Sequence, residues 1–303
     1  MNQRKKILFI TGTRADYGKI KPIMQKMEKK QKEYEVFVYV SGMHLLQKYG
    51  STYREVQKDG YKNTYVAFEQ VMTDNMSYNL GVVLMNLARY AEQIKPDIDI
   101  MLSDTLPSLQ QAYEKYEVDF DTYSIFMYHP VTTEIEKLPE HIGEVVDALL
   151  ASEKNYIVVY PNNDNGTEVI LNEIGRLYGN KRFRVFPSIR FEYFLTFLKN
   201  ADAIIGNSSA GIRESGIYGI PAIDIGSRQK GRYDEKMLKN IQHAREDKAD
   251  ILDKLQNISS HRIPSSGFGV GNSTELFFEV LKREDIWNLD IQKIFVDIRG
   301  LKR

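Results

Sequence analysis

The sequence predicts an α/β protein built on parallel sheets with helices on both faces. Three observations carry this. Short apolar runs alternate with amphipathic stretches along the 303 residues. The strand-like runs are continuously apolar rather than alternating, which marks strands buried on both faces. No internal repeat, low-complexity tract or Pro/Gly-rich linker interrupts the series.

The elements follow in order. Ile7–Ile10 is a strand, and a helix runs roughly from Gly18 through Lys30 with Ile20, Ile23 and Met27 on one face. Val36–Val40 is the next strand, closed by Ser41-Gly42. A longer helix carries Leu80, Val83, Leu84 and Leu87 on one face and leads into Lys95-Pro96-Asp97, after which Ile98–Leu102 is apolar enough for a strand. Ser124–Tyr128 is a strand followed by a helix near Ile142–Leu150, and Tyr156–Tyr160 is a strand followed by a helix bearing Ile170, Ile174 and Leu177. Phe183–Phe186, a helix with Phe191, Phe194, Leu195 and Leu198 on one face, Ile204-Ile205 and Ala222–Ile225 complete the alternation. Tyr233–Gly271 is the least regular region and reads as surface loops; helices are expected at Ser273–Lys282 and near Ile291–Ile298.

Composition narrows the function. The 41 basic and 41 acidic residues cancel, so no charge excess invites nucleic acid or a membrane surface. There is no cysteine, which excludes disulfides and thiolate metal sites, and no metal or cofactor is expected. The apolar run at the N-terminus ends after Ile10, too short for a signal-peptide core, and no segment has the apolar length of a transmembrane helix. A cytoplasmic protein is the expectation.

In parallel sheets ligands gather at the carboxyl ends of strands. Ile204-Ile205 breaks at Gly206-Asn207-Ser208-Ser209, and a helix is expected at once. Free N–H groups and small hydroxyls at such a turn suit an anion; ordinary capping by serine is the competing reading. Glu214 lies too far along for a capping box with either serine and is placed to accept bonds from two sugar hydroxyls. Thr11–Gly18 after the first strand is not a G-x-G-x-x-G fingerprint. Arg14 suits a phosphate or a base carbonyl there, whereas Thr13 or Asp16 would serve as a helix cap. His44 after the second strand is a ligand contact or a structural histidine. His129, directly after an apolar strand, suits an acid, a base or a donor to a charged oxygen, or is a histidine satisfied by backbone. Arg228 sits in a basic loop, Gly226–Arg232, that either meets a phosphate or sugar or is solvated.

Five motifs in order, G-T-R-A-D-Y, G-M-H-L, H-P-V-T-T-E, G-N-S-S-x-G-x-x-E and G-S-R-Q-K-G-R, resemble the hydrolysing UDP-N-acetylglucosamine 2-epimerases of sialic and legionaminic acid synthesis. The resemblance implies a glycosyltransferase-B-like fold, with two Rossmann-type domains facing a cleft: residues 1–97, residues 98–285, and a C-terminal helix in 286–303 packing back on the first. It implies elimination of UDP across C1–C2 of the sugar nucleotide and hydration of the glycal, giving N-acetylmannosamine and UDP. The partner would be a UDP-sugar and the assembly a homo-oligomer, dimer or tetramer. Arg14 and Lys19 would lie near the nucleotide, Ser208 and Ser209 on its phosphates, Glu214 on its ribose and His129 on the reacting sugar or its leaving phosphate; Asp16, His44 and Arg228 are further candidates.

The resemblance also implies a gap. The family carries, between two Pro-Asp sites, roughly 70–85 residues, about half a Rossmann domain, that are absent between Asp97 and Ile98. That segment holds the family's catalytic carboxylates. The first domain is therefore expected to be incomplete, with apolar helix faces uncovered and a parallel edge unpaired. Alternatives are an epimerase of a nucleotide-linked diacetamido sugar, a non-catalytic UDP-sugar binder, and a UDP-dependent glycosyltransferase on the same fold.

Overall fold

The computed structural model describes residues 4–68, 76–94, 98–99, 106–234, 237–268 and 273–288. Two parallel sheets organise them. The first has the order β3-β2-β1-β4, from β1 (Lys5–Thr11), β2 (Tyr34–Val40), β3 (Asn63–Val66) and β4 (Ile98–Asp99). The second has the order β10-β9-β8-β5-β6-β7, from β5 (Ser124–Met127), β6 (Tyr156–Val159), β7 (Phe183–Phe186), β8 (Ile204–Gly206), β9 (Ala222–Ile225) and β10 (Ile241–Ala244).

The second sheet is a complete doubly wound arrangement. Counted in its own chain order it reads 3-2-1-4-5-6, so the winding reverses between β5 and β8. Its central strands are buried along their whole length, as their unbroken apolar runs require. One face packs on α5 (Leu138–Ala151), α6 (Thr167–Ile174) and α9 (Lys248–Gln256) through Ile142, Val145, Leu149, Ile170, Ile251 and Leu255. The other packs on α4 (Leu109–Tyr116) and α7 (Phe191–Lys199) through Ala112, Phe191, Phe194 and Phe197.

The first sheet follows the same rule but stops after 3-2-1-4 among the described residues. One face packs on α1 (Arg14–Glu28) through Ile20, Ile23, Met24 and Met27, and α2 (Tyr53–Lys58) adds Val56. The other face is covered by α3 (Met76–Ile94) through Leu87, Tyr90, Ala91 and Ile94, with Tyr90 stacked at 4.8 Å on Tyr65. Leu84, read from periodicity as part of the packing face, is 55% exposed, and Met85 beside it is 52% exposed. Uncovered apolar surface on this helix is what a shortened sheet leaves behind.

Two readings are corrected. Tyr233–Gly271 is not all loop: β10 pairs with β9 from Ile241↔Ala222, and α9 follows, capped by Asp247, whose side chain accepts from the Asp250 N–H. Each of these elements is short and has few buried positions, so the periodic signal was weak. Ile98-Asp99 belongs to the first sheet, beside Ile7-Leu8, because a chain leaving α3 meets the open side of β1 first. Lys95–Asp97 and Ile100–Leu102 lie outside the described residues. α10 (Ser273–Leu281) also packs on the first domain, its Phe278 and Leu281 joining the α1 core with Ile286 and Trp287 against it. The expected helix near Ile291–Ile298 lies outside the described residues.

The domains touch where α1 crosses α7. A Cβ on Gly18 would stand 2.3 Å from the Cβ of Phe191, so only glycine admits this approach. None of the described helices is long and apolar enough to cross a membrane.

Candidate nucleotide-binding site

The loops leaving β5, β8 and β9 converge at the reversal point of the second sheet. They bring His129, Asn207–Ser209 and Arg228 together. The β5–β8 register ends at Met127↔Gly206, where Gly206 takes φ +129. A Cβ there would fall 2.0 Å from the Met127 carbonyl oxygen, so the loop turns over the strand end only because residue 206 is glycine.

Beyond that turn Asn207 replaces the sheet ladder. It is fully buried. Its Oδ1 accepts the His129 N–H at 2.7 Å and its Nδ2 donates to the His129 carbonyl at 2.9 Å. Its own N–H donates to the Met127 carbonyl at 3.1 Å, and its carbonyl accepts from Arg228 Nη1 at 3.1 Å and from Gln229 Nε2 at 2.7 Å. One residue thus ties three loops.

His129 is 9% exposed, and burial, reinforced by the charge of Arg228, lowers its pKa to about 3. The ring is neutral at physiological pH. Its Nδ1 accepts the backbone N–H of Asn162 at 3.0 Å, so the proton sits on Nε2. Of the roles open in the sequence, this geometry keeps two, a histidine satisfied by backbone and a neutral N–H donor. A base would need the proton on the nitrogen that Asn162 occupies.

The helix expected after Ser209 is only α8 (Ala210–Arg213), continued by a 3₁₀ turn over Ser215–Tyr218. Ser208 Oγ accepts the Ala210 N–H at 3.3 Å, so the capping reading holds in part. Among the described residues the N–H groups of Ser208 and Ser209 donate to no protein acceptor. Glu214, at the end of α8, lies 3.1 Å through Oε1 from Lys19 Nζ of α1, across the domain boundary. Its Oε2 is buried without a hydrogen-bond partner.

Arg228 is half-buried, and burial together with Arg232 holds its pKa below the usual guanidinium range. Among the described residues no carboxylate lies within ion-pair distance of it. The loop is therefore not simply solvated: its arginine is turned inward beside His129.

The first domain's candidates fare differently. Arg14 Nη1 donates to Ser188 Oγ at 3.1 Å and to the Ser188 carbonyl at 3.2 Å, while Nη2 binds Glu55. Glu55 also faces Arg190 at 3.7 Å. Arg14 is thereby an interdomain tie, with its buried Nε left unpartnered. Thr13 caps α1, its hydroxyl accepting the Asp16 N–H at 3.1 Å, and Asp16 lies in the first turn. His44 is fully buried, with Nε2 2.8 Å from Thr11 Oγ1 and Nδ1 2.6 Å from Thr52 Oγ1. Both nitrogens are spent, so His44 offers a ligand nothing. Burial and the Arg14 charge lower its pKa to about 4.

Sequence reading passed over Asn207, Asn162 and Ser188 as actors. Asn207 alone carried a signal: an amide, donor and acceptor together, directly after a buried strand. Asn162 meets His129 through its backbone N–H, and Ser188 meets Arg14 through both its hydroxyl and its carbonyl across the domain boundary, so neither contact has a local sequence signature. One set of residues has the donor types for a metal ion: Glu134, His141 and Glu246 each place a ligand atom within 4.8 Å of the others. The set is already bonded, with Ser227 donating to Glu134, Tyr128 donating to Glu246 and His141 Nδ1 3.6 Å from Glu246.

Comparison with known proteins places this geometry. A family model described as UDP-N-acetylglucosamine 2-epimerase matches residues 99–282. The chain is 34% identical to the UDP-N-acetylglucosamine 2-epimerase of Neisseria meningitidis serogroup B, covering 97% of this chain and 99% of that protein. That alignment runs over 379 positions against 303 residues here, so the relative carries a stretch with no counterpart in this chain. The hydrolysing UDP-N,N'-diacetylbacillosamine 2-epimerase of Legionella pneumophila is 22% identical, over 75% of this chain and 82% of that protein. In fold, the chain is similar to the UDP-GlcNAc 2-epimerase of Methanocaldococcus jannaschii in complex with UDP-GlcNAc and UDP, with TM-score 0.64, 14% identity and coverage of 91% and 99%. It is similar to S. aureus MnaA with UDP at TM-score 0.64, 17% identity and coverage of 96% and 99%.

Proposed function

This chain belongs to the UDP-N-acetylglucosamine 2-epimerase family, and we propose that it binds a UDP-sugar between its two domains and acts on it as a hydrolysing 2-epimerase. The observation that supports this most is the half-buried Arg228 guanidinium, which donates to the Asn207 carbonyl but forms no salt bridge among the described residues, Asp164 acting on it only from beyond ion-pair distance. A half-buried cation without a salt bridge gains from an arriving anion. It stands beside the Nε2–H of His129 and the unbonded N–H groups of Ser208 and Ser209, which together match a pyrophosphate. The unpartnered Oε2 of Glu214 matches a ribose hydroxyl.

In this reading the C2 proton of the sugar passes to a water molecule, the electron pair of the C2–H bond forms a C1–C2 double bond, and the bond from C1 to the UDP oxygen breaks with its electrons going to the departing phosphate. Negative charge gathers on the departing phosphate, where Arg228 and His129 donate. Water then adds across the glycal and yields the free 2-epimer. His129 stays neutral and supplies a hydrogen bond.

A second reading is a UDP-sugar binder without turnover. The first sheet's stop at 3-2-1-4 and the longer relative support it. Calorimetry with UDP followed by product analysis with UDP-N-acetylglucosamine separates the readings. Free 2-epimer and UDP support hydrolysis and epimerisation. Binding without product supports the binder. Sugar transferred to an acceptor indicates a transferase, and inertness toward UDP removes every reading.

A further inference from the structure

We propose that Asn207 is a positioning residue that holds the His129 ring in place and in its Nε2–H form. The purpose of that arrangement rests on the UDP-sugar reading above, while the arrangement itself does not.

β5 and β8 cease to pair at Met127↔Gly206, yet the catalytic geometry needs the next residues held in register. Asn207 continues the pairing with a side chain. Its amide gives and takes one hydrogen bond with the backbone of His129, the same two bonds a strand neighbour would make. No other residue of its size offers donor and acceptor in that spacing without charge. Its backbone carbonyl meanwhile holds Arg228 and Gln229. The clamp therefore sets the distance between the neutral donor of His129 and the cation of Arg228. It also holds His129 where Asn162 N–H can reach Nδ1, and that bond selects the tautomer.

The test is imidazole ¹⁵N NMR on the full chain. The protein has five histidines, so the His129 signal is assignable by its loss in His129→Gln. The expected wild-type result is a neutral Nε2–H ring that does not titrate between about pH 5 and 8, in keeping with burial. Asn207→Ala is expected to give mixed tautomers and a ring that begins to titrate in that range. Asn207→Asp adds a second arm: a protonated carboxyl restores donor and acceptor, an ionised one does not. Its His129 signature should be wild-type-like at the acid end and lost at the alkaline end. UDP affinity is measured in parallel on each folded variant.

Asn207→Ala that keeps the wild-type tautomer and titration while merely melting earlier overturns the proposal and leaves Asn207 structural. If Asn207→Ala does not fold, Asn207→Asp decides, and a His129 signature unchanged across pH overturns it. If wild-type protein binds no UDP, the UDP-sugar reading fails, while the NMR comparison still settles whether Asn207 governs the ring.

Discussion

Lys19 Nζ and Glu214 Oε1 lie 3.1 Å apart, one on α1 of the first domain and the other at the end of α8 in the second. The pair closes the cleft at one point and orients the carboxylate, with its second oxygen buried and unpartnered.

Glu214→Gln keeps the shape and removes the charge. It is expected to weaken UDP binding by about 1.4 kcal/mol, or roughly tenfold, the worth of a hydrogen bond to a charged group. Melting should shift little, because a single interdomain pair contributes at most about 1 kcal/mol. Calorimetry checks the first and thermal denaturation the second; unchanged affinity refutes the ribose role.

Arg228→Met separates binding from stability. Removing a half-buried cation that forms no salt bridge, while Gln229 keeps its bond to the Asn207 carbonyl, is expected to leave the apo protein about as stable as wild type. UDP affinity should fall by about 2 kcal/mol, roughly thirtyfold. A variant that melts earlier and binds UDP normally shows that the guanidinium serves the loop alone.

His129→Ala is expected to cut turnover of UDP-N-acetylglucosamine roughly a hundredfold with a smaller loss of UDP affinity, about tenfold, as for a donor that touches the pyrophosphate and acts most strongly on developing charge. Steady-state kinetics and calorimetry measure the two. Equal losses in both would make His129 a ground-state binder.

Stability should fall with acid. His44 and His129 are neutral in the fold, with pKa values near 4 and 3, against 6.5 in an unfolded chain. Unfolding therefore takes up protons below pH 6.5, and the fold weakens as pH drops through that value, down to about 4 for His44 and about 3 for His129. The slope is at most about 1.4 kcal/mol per pH unit for each ring. Urea melts between about pH 7 and 5 measure it; a constant midpoint contradicts buried neutral histidines.

Gly18→Ala places a methyl group against Phe191 and is expected to destabilise the protein by about 1–3 kcal/mol, read from denaturant midpoints. Gly18→Ala combined with Phe191→Leu should recover part of that loss if the α1–α7 crossing is the cause.

Much of this architecture was readable from residue order. Continuous apolar runs such as Tyr156–Val159 and Ala222–Ile225 locate buried parallel strands, and five ordered motifs locate the loops after them. What escaped has physical reasons. Ile98-Asp99 is a two-residue strand whose membership depends on the nearest open partner, which no local pattern encodes. Ile241–Ala244 and Lys248–Gln256 bury too few side chains to show a period. At the site, a histidine at a strand end reads either as a ligand contact or as structural, and only the third dimension decides for His44, with Thr11 and Thr52 occupying both nitrogens. Arg14 was read as nucleotide-facing, and its ties to Ser188 and Glu55 span too many residues to foresee.

Phe278 and Leu281 of α10 complete the apolar layer that Ile7, Ile20 and Met24 begin. The order of synthesis and the order of packing therefore run opposite ways. The first domain keeps its hydrophobic side unsealed until α10 has been made, whereas the six-stranded half can settle ahead of it. A chain cut short before Ser273 would consequently loosen the domain that precedes it by more than 150 residues, not the one beside the cut.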